Sequence, residues 1–157
     1  MIWLILLVLL SFSFVVFFGA PYLPTLHKQK NIALDLLSLK PGQTLIELGS
    51  GDGRVMKEAA KRGLKVIGYE LNPVLVFISY FVTFTQRKNV TIKWGNYWSE
   101  NWPAADGIFA FLHSKYMARL DQKIKNTYKH IKLVSVVYKI PGKKPAETKN
   151  SVFLYDY

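Results

Sequence analysis

The sequence predicts an α/β domain with an open, mostly parallel sheet covered by helices, preceded by one transmembrane helix. Three observations predict it: short strands alternate with helices, a glycine-rich loop joins the first strand to a helix, and an apolar run opens the chain. With 157 residues, 50% of them hydrophobic, the chain suffices for one domain. We divide it into a transmembrane anchor (1–20), a proline-containing linker with the first helix (21–40) and the α/β domain (41–157).

The apolar run covers residues 2–20 and is interrupted only by two serines and one glycine. At 1.5 Å per residue such a helix is about 28 Å long, close to the hydrocarbon thickness of about 30 Å. A cleaved signal peptide is the alternative, but the run lacks a basic start and a small-x-small cleavage site. Because Lys28 and Lys30 follow the span, we expect the domain on the cytoplasmic side.

The linker and the first helix follow the anchor. Pro21 and Pro24 make the exit from the anchor short and stiff, because proline cannot continue a helix. Thr25 is the expected N-cap of the first helix, which carries its aliphatic residues on one side.

Strands and helices alternate after a turn at 40–43. The strands are short runs of aliphatic and β-branched residues, and the helix after the first strand is amphipathic and ends at Gly63. The next helix begins at Pro73, a favourable first helical residue. The predicted strands are 44–48, 65–70, 90–94, 107–112, 133–140 and 151–155, and the later helices cover 52–62, a segment from Pro73 onward, and 115–130.

Composition and charge exclude several kinds of site. The chain has no cysteine, which excludes disulfides and thiolate sites, and its three histidines lack metal-ligand spacing, so we expect no metal site. The net charge is +11, and the stretch 115–149 holds ten basic residues against two acidic ones. Such a surface attracts nucleic acid, anionic lipid or an acidic protein, but a solvated lysine-rich face is the simpler interpretation.

The most informative segment, 47–54, reads Glu-Leu-Gly-Ser-Gly-Asp-Gly-Arg. Three alternate glycines after a strand let the backbone turn tightly and approach a ligand. The spacing differs from the GxGxxG of dinucleotide loops, and Glu47 and Asp52 would repel a pyrophosphate. The same carboxylates favour the cationic sulfonium and amino group of S-adenosylmethionine. Glu70 ends the second strand about twenty residues later, where a carboxylate can accept hydrogen bonds from ribose hydroxyls.

On these residues the sequence resembles the class I S-adenosylmethionine-dependent methyltransferases, which have a Rossmann-like fold. More closely, it resembles the protein-lysine methyltransferase family that includes the ATP synthase c-subunit and adenine nucleotide translocase lysine methyltransferases. The resemblance covers about residues 21–140 and rests on PYLPT after the apolar run, on ELGSGDGRV, on GYELNPVLV and on the weaker MARLDQKI.

The resemblance implies a cofactor-binding set, which comprises Glu47, Gly49, Ser50, Gly51, Asp52, Gly53, Glu70, Leu71, Asn96 and Tyr97. Glu47 and the first two glycines would line the methionine part of S-adenosylmethionine, and the rest of the loop would be shaped by Asp52 and the third glycine. Glu70 would hold the ribose and Leu71 would pack on the adenine. Asn96 stands where such enzymes usually have an acidic residue near the adenine amino group.

Candidates for the substrate side are less specific. Tyr97, Trp98 and Trp102 form either an aromatic wall for a substrate lysine or packing in the core or at the membrane interface. His113 is a candidate for substrate contact, and Asp106 is expected to be structural. The tripeptide Lys-Ile-Pro at 139–141 stands where the family usually has Arg-Phe-Pro. We also expect the C-terminal strands to be trimmed relative to those of the family. No catalytic residue is assigned, because a pocket beside the sulfonium would itself lower the pKa of a substrate lysine.

The sequence therefore predicts a membrane-anchored S-adenosylmethionine-dependent methyltransferase that acts on lysine in a membrane protein. If the source is eukaryotic, the family resemblance implies the mitochondrial inner membrane. The tetrapeptide of many DNA adenine methyltransferases is absent after the fourth strand, so we do not expect nucleic acid as a partner. Two alternatives stay open: a small-molecule or lipid methyltransferase, and a non-catalytic membrane-tethered module that binds the cofactor or anionic partners.

Overall fold

The computed structural model describes residues 2, 3 and 27–157. The helices are α1 (His27–Leu37), α2 (Arg54–Lys61), α3 (Pro73–Val82) and α4 (Met117–Thr127), with 3₁₀ turns at Phe84–Gln86 and Ser114–Tyr116. The strands are β1 (Thr44–Leu48), β2 (Lys65–Glu70), β3 (Val90–Trp94), β4 (Gly107–Ala110), β5 (Lys132–Val136), β6 (Glu147–Lys149) and β7 (Val152–Asp156).

Within the described residues the strands form one seven-stranded sheet in the order β3-β2-β1-β4-β5-β7-β6. The first five strands of that order are parallel, and β7 runs antiparallel to both β5 and β6. The predicted α/β fold with a mostly parallel sheet is confirmed. Because the strand order reverses at β1 and β4, a crevice for a ligand is expected at the carboxyl ends of these strands.

The sheet separates two hydrophobic cores. Leu45 of β1 belongs to the core under α1 and α2, and Ile46 belongs to the core under α4, because successive strand side chains point to opposite faces. α3 packs on β2, β3 and α2, on the same face as α2. Glu47 follows Ile46 in β1, so its side chain points to the opposite face of the sheet, which α2 covers.

Two predicted strands are shorter than expected, and the predicted helix over 115–130 is shorter as well. β4 ends at Ala110 rather than at 112, and α4 begins only after a 3₁₀ turn. β5 ends at Val136 rather than at 140 because Val137 has a φ of 71° and the Tyr138 N–H donates to the Val136 carbonyl. This three-residue turn breaks the strand.

The C-terminal strands, which we expected to be trimmed relative to the family, form β7 and β6 at one end of the sheet. β6 was not predicted at all, and it pairs with β7 through a hairpin turn at Asn150 and Ser151, whose φ angles are 48° and 59°. Two successive left-handed residues are typical of a type I′ turn. β7 pairs with β5 from Val152 to Asp156.

In the part of the chain that the structure describes, no helix has the length and apolar character needed to cross a membrane. The predicted anchor at 2–20 lies outside the described residues except for positions 2 and 3, as do both linker prolines and Thr25. The anchor and the division of the chain at residues 20 and 40 therefore stay predictions.

Candidate functional site

The glycine-rich loop, residues 49–53, is held against the end of β2 by backbone hydrogen bonds. The N–H groups of Gly49 and Ser50 both donate to the Tyr69 carbonyl at 2.9 Å. The Gly51 N–H donates to Glu70 Oε2 at 2.8 Å. The loop and Glu70 thus form one preorganised unit at the carboxyl ends of β1 and β2, which the sequence predicted to meet.

Two glycines of this loop serve different purposes. Gly49 has a φ of 75°, and a Cβ added there would meet nothing within 4 Å, so the space above this backbone is open. Gly53 has a φ of 84°, and a Cβ there would lie 2.9 Å from Cβ of Ser79 on α3. Gly49 therefore leaves room for a ligand, whereas Gly53 permits close packing of the loop on α3.

Glu47 is a buried carboxylate at the end of β1. Its residue is 3% exposed, and within the described residues Oε2 has no hydrogen-bond partner. Burial, with the charges of Asp52 and Glu70, raises the pKa of Glu47 well above its ordinary value, and a backbone hydrogen bond from Met56 only partly opposes this. A cationic ligand would satisfy the free oxygen and stabilise the charge, which fits the amino group of S-adenosylmethionine.

Glu70 is buried as well, but both of its oxygens are hydrogen-bonded. Oε1 accepts the Asn72 N–H and Oε2 the Gly51 N–H, each at 2.8 Å. Burial raises the pKa of Glu70, and these backbone hydrogen bonds partly offset the rise. Because a carboxylate offers about four lone-pair sites, Glu70 can still accept bonds from ribose hydroxyls.

We expected Asp52 and Glu47 to face a cationic ligand together, but the structure pairs Asp52 with Arg54 instead. Arg54 Nη2 lies 2.6 Å from Asp52 Oδ2, and Arg54 Nε lies 3.0 Å from both carboxylate oxygens. Asp52 Oδ1 also accepts the backbone N–H of Arg54 at 3.2 Å. Asp52 is thus paired within the loop and shapes the start of α2, so that of these two carboxylates Glu47 is the one available to a cationic ligand.

The predicted adenine side lies where β2 and β3 end. The Gly95 N–H donates to the Glu70 carbonyl at 2.9 Å, which brings Leu71 and Asn96 to the same edge. Asn96 is exposed, and its Oδ1 already accepts the Trp98 N–H at 3.0 Å. Its acceptor oxygen is therefore committed in part to the turn.

The loop after β3 carries three aromatic residues, Tyr97, Trp98 and Trp102, and they do not all lie in the same environment. Tyr97 is partly buried, and burial together with the nearby Tyr116 and Glu70 raises the pKa of its hydroxyl. Trp98 packs 4.8 Å from Tyr97 and lies under Arg119 at 4.4 Å, measured to the ring centroid. Trp102 is buried in the core under α4 and donates Nε1 to the Tyr97 carbonyl at 2.9 Å. Trp102 is thus core packing rather than a substrate wall.

The carboxyl ends of β4 and β5 bring His113 and Tyr138 together, with ring centroids 5.4 Å apart. Asp106 lies at the opposite end of β4, where its oxygens accept the Thr44 N–H at 2.7 Å and the Gln43 amide at 3.0 Å. Asp106 is therefore structural, as expected. Among the described residues, no three histidine, aspartate or glutamate side chains cluster as metal ligands would.

The basic stretch 115–149 is not one uniform patch. Lys125 and Lys143 both contact Asp121. Lys123 donates to the carbonyls of Trp98 and Glu100. Part of the positive charge is therefore used within the domain.

The family described as the ANTKMT methyltransferase domain matches residues 47–147, which begin at Glu47 and include the whole predicted cofactor set. The chain belongs to this family. The predicted methyltransferase resemblance is confirmed by this match.

Curated relatives of the chain are lysine N-methyltransferases, in agreement with the family match. The chain is 30% identical over 107 residues to the ATP synthase c-subunit lysine N-methyltransferase of Homo sapiens, covering 67% of this chain and 46% of that protein. The Xenopus laevis protein of the same name is 27% identical over 143 residues, covering 87% of this chain and 63% of that protein. The adenine nucleotide translocase lysine N-methyltransferase of Mus musculus is 46% identical over 57 residues, covering 36% and 24%. The chain thus spans less than two thirds of the length of these relatives.

Solved structures share the fold at low sequence identity. An RNA methyltransferase from Salinibacter ruber in complex with S-adenosyl-L-homocysteine superposes with a TM-score of 0.78 at 20% identity, covering 86% of this chain and 92% of that chain. A SAM-dependent methyltransferase from Geobacter sulfurreducens, also with S-adenosyl-L-homocysteine, has a TM-score of 0.60 at 14% identity, covering 76% and 53%. These similarities establish the Rossmann-like methyltransferase fold of this family member.

Two residues of the site were not predicted from sequence patterns. Asn72 is fully buried, donates its N–H to Glu70, and accepts the Val74 N–H at 2.9 Å as the N-cap of α3. Asparagine directly before Pro73 is the signal that could have identified this cap. Gly68 leaves the space that Ser50 and Met56 occupy, since a Cβ there would lie 2.2 Å from Met56 Sδ.

Proposed function

We propose that the chain binds S-adenosylmethionine and transfers its methyl group to a lysine side chain of a membrane protein. The observation that carries the proposal is the buried Glu47 oxygen, which has no hydrogen-bond partner among the described residues and lies at the end of the strand that leads into Gly49, whose backbone faces open space. A buried carboxylate in this position favours a cationic ligand over a phosphate.

Different residues of the site would contact different parts of S-adenosylmethionine. Glu47 would accept hydrogen bonds from the amino group, and the loop backbone at Gly49 would lie against the methionine part. Glu70 would accept from the ribose hydroxyls, and Leu71 would contact the adenine. Bound S-adenosylmethionine supplies a methyl group that its sulfonium charge activates for in-line displacement.

The acceptor would enter beside the ends of β4 and β5. The segments 111–116 and 137–141 around His113 and Tyr138 contain no acidic residue, so a lysine entering here meets aromatic and basic neighbours. Such surroundings lower the pKa of a lysine amine and favour its neutral, nucleophilic form. The role of this part of the chain is then to orient the amine and to exclude water, without a dedicated base.

We propose a membrane-protein substrate because the relatives are named as methyltransferases of the ATP synthase c-subunit or of the adenine nucleotide translocase. The apolar run at 2–20 supports the same proposal as a transmembrane anchor that concentrates the domain on membrane-embedded targets. In a eukaryotic source the membrane would be the mitochondrial inner membrane.

The decisive experiment is transfer of labelled methyl from S-adenosylmethionine to membranes that contain the full chain. Label that is released by protease and found on lysine by mass spectrometry supports the proposal. Label in the lipid extract supports a lipid methyltransferase instead. Cofactor binding by calorimetry without any transfer supports a non-catalytic module. Glu47→Gln serves as the control that should lose transfer.

The anchor has a test of its own. Deleting residues 1–20 should leave cofactor affinity within about twofold, since the site lies in 47–97, while methylation of embedded protein should fall sharply. Equal methylation by the truncated and full-length chains would contradict the role of the anchor but not the methyltransferase activity.

A further inference from the structure

Helix α3 is apolar on both sides, although only one side is covered. Leu75, Val76 and Ser79 are buried against the domain. On the opposite side, four large apolar side chains of α3 are exposed, and Phe84 of the following 3₁₀ turn is exposed as well, with exposed fractions of 38–67%. We call this set the aromatic face, which comprises Phe77, Ile78, Tyr80, Phe81 and Phe84.

The aromatic face differs from an ordinary helix surface. The ten residues of Pro73–Val82 include no charged side chain, and the rings of Phe77 and Phe81 pack edge to face at 4.9 Å. A surface helix normally turns charged residues to water, and a helix apolar all round is normally covered on all sides. Contiguous exposed apolar surface of this kind marks an interaction site.

The charges around the aromatic face indicate what covers it. Residues 71–99 contain no acidic side chain but include Arg87, Lys88 and Lys93. The Arg87 guanidinium lies 5.2 Å from the ring centroid of Phe84, so apolar and cationic groups share one surface. Aromatic rings flanked by basic residues suit the headgroup region of an anionic bilayer. A second copy of the chain would bring the same positive charge against itself.

We propose that the aromatic face inserts into the interface of an anionic lipid bilayer, with Arg87 and Lys88 on lipid phosphates. The inference rests on the membrane location in the proposed function. Only residues 21–26 separate the apolar run from α1, and six residues span at most about 21 Å, so an anchored domain stays at the bilayer.

Docking through α3 would set the orientation of the cofactor site. α3 begins directly after Asn72, whose N–H is bound by Glu70, and its Ser79 packs against Gly53 of the glycine loop. The helix and the site therefore move together. An anchor alone lets the domain rotate, whereas a second contact holds the site in one direction relative to the membrane.

The absence of cysteine makes a site-specific test possible, because each introduced thiol is unique. The full-length chain with Phe81→Cys is labelled with a fluorophore and reconstituted into phosphatidylcholine vesicles with or without phosphatidylglycerol. The matched control is Gln122→Cys, an exposed position on α4, which covers the other face of the sheet. Lipid-attached quenchers should quench the label at 81 severalfold more than the label at 122, and more strongly with phosphatidylglycerol.

The outcomes separate this inference from the proposed function. If the chain does not bind vesicles, both the anchor and the docking are wrong. If it binds but both labels are quenched equally, only the docking is wrong. A label at 81 that neither lipid-attached nor aqueous quenchers reach would indicate a protein partner, a second copy or the chain's own apolar segment, and would also overturn the inference.

A second pair of variants tests the charges. Arg87→Gln with Lys88→Gln should abolish the increase that phosphatidylglycerol produces in quenching at 81. Lys144→Gln with Lys149→Gln removes the same charge from exposed positions elsewhere and should preserve the increase. An equal loss in both pairs would overturn the assignment of Arg87 and Lys88 to lipid phosphates.

Discussion

The carboxyl edge of the sheet has two halves, one at the ends of β1 and β2, which we call the cofactor half, and one at the ends of β4 and β5. A different feature destabilises the folded chain in each half. At β1 and β2 the strain is electrostatic, since Glu47 and Glu70 are buried carboxylates with raised pKa values. At β5 the strain lies in the backbone, since the β-branched Val137 has a φ of 71°. A cationic ligand can relieve the first kind, but no ligand relieves the second.

This difference indicates how each half is used. The buried charge at Glu47 makes the cofactor half depend on its ligand for full stability. The turn at Val137 is held by its own contacts, because its N–H donates to the Ser151 carbonyl at 2.7 Å and Ser135 Oγ donates to the Tyr138 carbonyl at 2.6 Å. The half of the edge at β4 and β5, where we propose that the acceptor enters, is therefore held by contacts within the chain, and the following variants test the contrast.

Glu47→Gln should have the largest effect. The variant removes the partner of a buried cation, so affinity for S-adenosylmethionine should fall by about 3–5 kcal/mol in calorimetry. Asp52→Asn is the matched control and should lose much less, because the Asp52 carboxylate is already paired with Arg54. Equal losses in the two variants would contradict the assignment of Glu47 as the ligand's carboxylate.

The same variant should change how the stability of the cofactor-free chain depends on pH. The folded-state pKa of Glu47 lies above its ordinary value of 4.5, so its contribution to stability is present below that pH and is lost as the pH rises through the raised pKa. Denaturant unfolding in detergent should show stability falling above pH 4.5, with a smaller fall in Glu47→Gln. Some fall should persist because the pKa of Glu70 is raised too. A pH dependence identical to that of the wild type would refute this account.

Glu70→Ala should have an intermediate effect. It removes the expected ribose acceptor, so the affinity for S-adenosylmethionine should fall by about 1.5–3 kcal/mol. Glu70→Gln keeps one acceptor oxygen and should lose less. Circular dichroism must show that both variants stay folded, since Glu70 also holds the Gly51 and Asn72 N–H groups. An unchanged dissociation constant in a folded Glu70→Ala variant would exclude the ribose role.

Val137→Gly should have the smallest effect, and it should stabilise the folded chain rather than weaken cofactor binding. Glycine adopts a positive φ without steric strain, so the free energy of unfolding should rise by about 1 kcal/mol while cofactor affinity stays the same. Val136→Gly is the control, because Val136 is buried in the core and its loss should destabilise the chain. A destabilised Val137→Gly variant would show that the backbone at 137 is not strained.

Much of the cofactor half could be predicted from the sequence. The bounds of β1, β2 and β3 agree with the predicted strands, and the glycine loop and Glu70 meet as expected. These features depend on short-range rules: turn residues end the strands, alternate glycines allow the tight loop, and parallel strands bring their carboxyl ends to one edge.

Other features were decided only by the tertiary structure. The turn at Val137, whose N–H donates to the Ser151 carbonyl, and the pairing of β7 with β5 both depend on groups that the fold brings together from separate parts of the chain. The sequence of α3 shows an apolar helix, but only the packed domain shows which side of the helix is covered and which four of its large side chains face outward. The physical reason is that local propensities act over a few residues, whereas burial, charge pairing and backbone strain depend on neighbours distant in sequence.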